Sequence, residues 1–116
     1  LQIIIFNLTY LQTINQAKKN NFTVTLIFFW LNSVELAKQR IALRVKSGGH
    51  FIPDETIERR YYAGLKNLFE LYLDACDNVL IFDNSVAPPK LIMKKIEDNV
   101  LEILDAKTFK KIRNDN

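Results

Sequence analysis

Cationic side chains are the most concentrated source of chemistry in this sequence. Over residues 40–60 it reads RIALRVKSGGHFIPDETIERR, placing Arg40 and Arg44 four apart, then Gly48-Gly49-His50, then Arg59-Arg60. Residues four apart share one face of a helix. Two glycines stop that helix, because glycine accepts the left-handed conformation of a C-terminal cap. Pro53 suits the opening of the next helix, where a missing N–H costs nothing. A short polar turn framed by guanidiniums from two helices suits a multiply charged anion, and a phosphate chain is the obvious candidate.

Each of these residues also has a plainer use. Glu55 lies four residues before Arg59, the favourable order for a helix ion pair worth about 0.2–0.5 kcal/mol. Arg40 and Arg44 could form a solvated face. His50 is the single histidine and Cys76 the single cysteine, so His50 would lack metal partners and serve a phosphate or a helix end instead. Cys76 stands beside Asp74 and Asp77, which disfavour its thiolate, and reads as structural. Asp83-Asn84-Ser85 follows an apolar run, where open α/β sheets bind ligands; the same residues favour a local turn. Neither GxxxxGK[ST] nor GxGxxG occurs in a chain with three glycines.

The elements that must position these groups follow from hydrophobic spacing. Residues 1–6 read as a strand, and 9–20 as a helix with Tyr10, Leu11, Ile14 and Ala17 on one face. Residues 23–30 (TVTLIFFW) are apolar on nearly every position, which predicts a strand covered on both sides in a parallel sheet. Asn32 or Ser33 is expected to cap the next helix, with Val34, Ala37, Ile41 and Val45 as its buried stripe. A long helix is expected over about 54–76, burying Ile57, Tyr61, Leu65, Leu68, Phe69 and Tyr72. A strand over 78–82, a turn at Pro88-Pro89, a hairpin of 91–96 with 100–104, and a last helix capped by Asp105 complete the chain. Strands alternating with helices of this length imply βαβ units in an α/β domain spanning 1–116.

Composition narrows the function. The 116 residues are 48% hydrophobic and 25% charged, ordinary for a folded domain, and the net charge of +3 is modest for a dedicated nucleic-acid binder. One cysteine permits no internal disulfide and fits a reducing, cytoplasmic address. The apolar runs are strand length, well short of the ~20 residues a bilayer needs, so no membrane partner is expected.

The stretch over 40–61, then GLKNLFELYL over 64–73 and DNS over 83–85, resembles the zeta-toxin-like group of P-loop ATPases and kinases. Members of that group carry RVxxGGHxVPxxxIxRRY, then a long helix, a strand and DNS; the likeness spans roughly 9–92. The resemblance implies a partial P-loop NTPase, a kinase-like three-layer fold with a mainly parallel sheet, followed by a C-terminal β-hairpin and short helix. It implies ATP and Mg²⁺ as cofactors and phosphoryl transfer to a small-molecule acceptor, such as a uridine-diphosphate amino sugar. On the matching positions, Arg44, Arg59 and Arg60 would stabilise the transferring charge. Arg40, Gly48, Gly49, His50, Asp83, Asn84 and Ser85 would surround the nucleotide. The group's Walker loop, its lysine and its following acid have no counterpart here, and QIIIFN over 2–7 stands where members show ETTLSG. The chain therefore reads as the C-terminal, lid-bearing portion, inactive alone. With its first βαβ unit missing, the 23–30 strand is expected to expose apolar surface that recruits a second copy or an antitoxin-like protein.

Overall fold

The computed structural model describes residues 2–6, 11–97 and 100–114. The chain forms an α/β fold with a five-stranded mixed sheet whose spatial order equals its order in sequence. β1 (Gln2–Phe6), β2 (Thr23–Trp30) and β3 (Asn78–Asp83) are parallel. β4 (Lys90–Ile96) and β5 (Val100–Ile103) follow antiparallel. The hairpin is thus an extension of the sheet rather than an addendum to a mainly parallel one. Its register on β3 shifts between Ile81 and Phe82, where Ile92 is the extra, fully buried residue.

α1 (Leu11–Lys19) connects β1 to β2 and buries Ile14 and Ala17. Asn21, at φ 65°, turns the chain out of α1 in the left-handed conformation that asparagine tolerates, and Phe22 N–H closes on the Ala17 carbonyl at 3.0 Å. Tyr10 lies outside the described residues, as do Leu1, Asn7 and the hairpin turn at 98–99. α2 (Val34–Lys46) starts at Ser33, whose Oγ accepts from Leu36 N–H at 3.1 Å, so Ser33 rather than Asn32 is the cap. Val34 and Ala37 are buried, while Ile41 and Val45 are half-buried.

α3 (Asp54–Asn67) runs on through a π-helical turn (Leu68–Tyr72) into α4 (Leu73–Ala75), filling the 54–76 span expected as one helix. Ile57, Leu65, Leu68 and Tyr72 are buried, and Tyr61 and Phe69 pack on the core from its rim. α5 (Ala106–Asn114) is capped by Asp105, as its sequence suggests. Asp105 Oδ1 accepts from Thr108 N–H at 3.1 Å and Oδ2 from Thr108 Oγ1 at 2.8 Å.

The core explains why the fold has two layers instead of three. Val24, Leu26, Phe28 and Trp30 alternate along β2 and register with Val79 and Ile81 of β3 on one face of the sheet. Ile14 and Ala17 of α1, Leu65 of α3, and Phe109 and Ile112 of α5 join that same cluster. Sequential parallel strands with right-handed crossovers place α1 and the α2–α4 connection on one side. The opposite face presents Ile27, Phe29, Leu80, Phe82 and Leu91, half-buried and outside the cluster, with the Phe29 and Phe82 rings 5.7 Å apart. Among the described residues, the 23–30 strand is therefore sealed on one side by the chain's own helices, while no helix residue of the core cluster lies against the other.

Candidate functional site

The site grows from the carboxyl ends of β2 and β3, where the chain leaves the sheet for α2 and for the turn after Asp83. These two ends are tied together. Asn84 N–H donates to the Trp30 carbonyl at 2.8 Å, and Asn32 N–H donates to Ser85 Oγ at 2.8 Å. Asp83 Oδ1 accepts from Ser85 N–H at 2.8 Å, an Asx turn that engages the carboxylate within its own loop. Asp83-Asn84-Ser85 thus acts as a brace between two strand ends, and of its members Asn84 reaches the cavity wall.

That cavity has a volume of about 480 Å³, within the ~300–1,000 Å³ of small-molecule sites. It is bounded by the end of β2, by α2 and by α3. Arg40, Arg44 and Arg60 line it together, and among the described residues none that lines it carries a carboxylate. Its remaining wall is largely apolar. Tyr61 closes one side, its hydroxyl donating to the Leu31 carbonyl at 2.6 Å. Trp30, 2% exposed, is part of the wall, and its indole N–H is buried without a hydrogen-bond partner among the described residues.

The arginines differ in what they already hold. Half-buried Arg40 donates from its guanidinium to the Asn84 carbonyl, pinning α2 to the brace. Arg44 and Arg60 are exposed, and their guanidiniums make no hydrogen bond or ion pair among the described residues. α2 and α3 are joined instead by Lys38 and Glu58, which form a hydrogen-bonded ion pair. That bond to Glu58 is the main reason the Lys38 pKa is raised.

Arg59, His50, Gly48, Gly49, Asp83 and Ser85 do not line the cavity, although the sequence placed them in the site. Arg59 is exposed, and among the described residues it forms no ion pair with Glu55 either. Helical spacing separates the two neighbouring arginines. Arg60 is three residues past Ile57 and four before Gly64, both cavity residues, whereas Arg59 falls about 100° round the helix. The glycines serve the backbone. Gly48 has φ +101°, and a Cβ on Gly49 would lie 2.8 Å from the Arg44 carbonyl oxygen, which accepts Gly49 N–H at 2.7 Å. They end α2 and let the chain fold back toward α3. His50 lies exposed in that connection.

Cys76 is no nucleophile. It is 1% exposed, and burial, aided by Asp77, pushes its thiol up to about 11 despite the opposing charges of Lys95 and Lys18. The sequence indicated the direction from the aspartates; burial is the larger cause. Trp30, Ile52, Tyr61 and Gly64 were not picked out as site residues in the sequence. Gly64 lies four residues past Arg60 and Tyr61 four past Ile57, on the cavity side of α3, which is the signal that could have found them.

No family model matches the chain, and no solved structure matches it. An uncharacterized protein of Haemophilus influenzae is 45% identical over 51 residues, a stretch that makes up 44% of this chain and 36% of that protein.

Proposed function

We propose that the cavity binds the phosphates of a nucleotide, ATP in the first place, as the lid-bearing portion of a zeta-toxin-like P-loop kinase or ATPase. One observation carries this reading: Arg40 and Arg44 of α2 and Arg60 of α3 meet on one cavity at the carboxyl ends of β2 and β3. Arg44 and Arg60 hold the anion, while Arg40 keeps α2 at the right height above the sheet. In the intact protein the same guanidiniums would neutralise charge on a phosphoryl group passing to a small acceptor. Mg²⁺ fits this chain poorly. Among the described residues no three metal-ligating side chains cluster, and the Asp83 carboxylate is engaged in its own turn.

Calorimetric titration of ATP into the chain tests the reading. Binding is expected, with loss of about tenfold in affinity for each of Arg44→Gln and Arg60→Gln, and little change for Arg59→Gln. ATP binding that survives the Arg44→Gln/Arg60→Gln pair would overturn it.

The open sheet face favours a second reading, a protein-interaction module that pairs with itself or with an antitoxin-like protein. A chain that stays monomeric by light scattering across a wide concentration range would remove the self-association half of that reading.

A further inference from the structure

Beyond its cations, the cavity says something about the body of its ligand. Resting on the anion-binding half of the proposed function and departing from its nucleotide half, we infer that the ligand of this cavity is a phosphomonoester of an aromatic or branched apolar alcohol.

The charge side of the argument is a count of what is uncommitted. Arg40 is engaged with the Asn84 carbonyl, so Arg44 and Arg60 are the lining guanidiniums left to neutralise an anion. Two forks match a phosphomonoester dianion, whereas a triphosphate brings more charge than they neutralise. The body side rests on the walls. Ile41, Ile52, Ile57, Phe28, Trp30 and the ring of Tyr61 offer hydrocarbon, and 480 Å³ is far more room than a bare phosphate fills. The Asn84 side-chain amide lines the same wall with no partner among the described residues, and can reach an ester oxygen.

The test is titration of 1-naphthyl phosphate, inorganic phosphate, 1-naphthol and ATP, followed by calorimetry and by the emission of Trp30, the single tryptophan. Naphthyl phosphate is expected to bind at least about tenfold tighter than either of its halves, because the charged and apolar contacts act together. Arg44→Gln and Arg60→Gln should each weaken it about tenfold, and Arg59→Gln by less than about twofold. Ile52→Ser, at a half-buried position, should weaken naphthyl phosphate while leaving inorganic phosphate unchanged. If naphthyl phosphate binds no better than inorganic phosphate while ATP binds tighter than both, the ester is wrong and the nucleotide reading stands. If no phosphate compound binds, both fall.

Discussion

Replacing Arg40 with methionine separates an arginine that builds the cavity from those that serve it. In the native chain its guanidinium donates to the Asn84 carbonyl, at the turn whose N–H is held by the Trp30 carbonyl. Methionine keeps most of the stem's packing and removes the donor. Hydrogen bonds to charged groups contribute about 1.5–3 kcal/mol, and a half-buried guanidinium belongs at the lower end, so the loss should be about 1.5 kcal/mol. With a urea slope of about 1.5 kcal/mol/M for a domain this size, the midpoint should fall by about 1 M. Arg44→Met and Arg60→Met remove exposed, unpaired charges and should move stability by no more than about 0.5 kcal/mol. Trp30 fluorescence reads the unfolding, since that residue is 2% exposed and adjoins the brace. Equal midpoints for Arg40→Met and Arg44→Met would refute the division of roles, because both would then be surface charges.

Further perturbations probe the frame around the site. Lys95→Met should cost about 2–3 kcal/mol by urea unfolding, because the Lys95 ammonium, 9% exposed as a residue, donates to the Leu73 carbonyl and, at 3.1 Å, to the Cys76 carbonyl at the end of α4. Cys76 should resist thiol reagents at pH 8 in the folded chain, because a thiol at about 11 is only about 0.1% ionised there. Labelling at the rate of an exposed thiol would contradict its burial. Asp105 is lowered from 3.8 to about 2, first by its hydrogen bonds from Thr108 and then by Lys90. A depressed carboxylate stabilises the fold above its unfolded pKa, so this contribution should be full above about pH 4–5 and vanish as pH falls through about 2. Asp105→Asn should flatten that limb of the acid-unfolding curve; an unchanged curve would exclude the linkage.

Local signals in the sequence were strong wherever one residue type answers one backbone need. Ser33 caps α2, Asp105 caps α5, and Gly48-Gly49 end α2, each for a reason visible in the residues themselves. The apolar runs over 23–30 and 78–82 located β2 and β3 to within a residue. What could not be read was the partnership of faces. A nearly unbroken apolar run such as TVTLIFFW says that both faces of β2 favour burial, yet not which elements arrive to bury them. Here the helices that join the core lie on one side, and the hairpin joins the sheet edge instead of standing apart. Lys95 illustrates the same limit. A lysine in a strand reads as solvent-facing, and its burial depends on the carbonyls that the end of α4 brings over it from 19 and 22 residues away in sequence.

The site's chemistry narrows in the same way once partners are known. Asp83 and His50, the carboxylate and the imidazole of the sequence motif, are respectively held in an Asx turn and set outside the cavity. Tyr61 directs its hydroxyl at the Leu31 carbonyl, and the Cys76 thiol is buried and held protonated. Among the described residues, the cavity wall therefore offers fixed positive charge and hydrocarbon, a lining suited to an anion. It supplies no side chain placed to take a proton from an incoming hydroxyl. On the proposed reading, the work of these residues is to hold a phosphate: Arg44 and Arg60 would provide the charge, while Arg40, held by the Asn84 carbonyl, pins α2 to the strand ends.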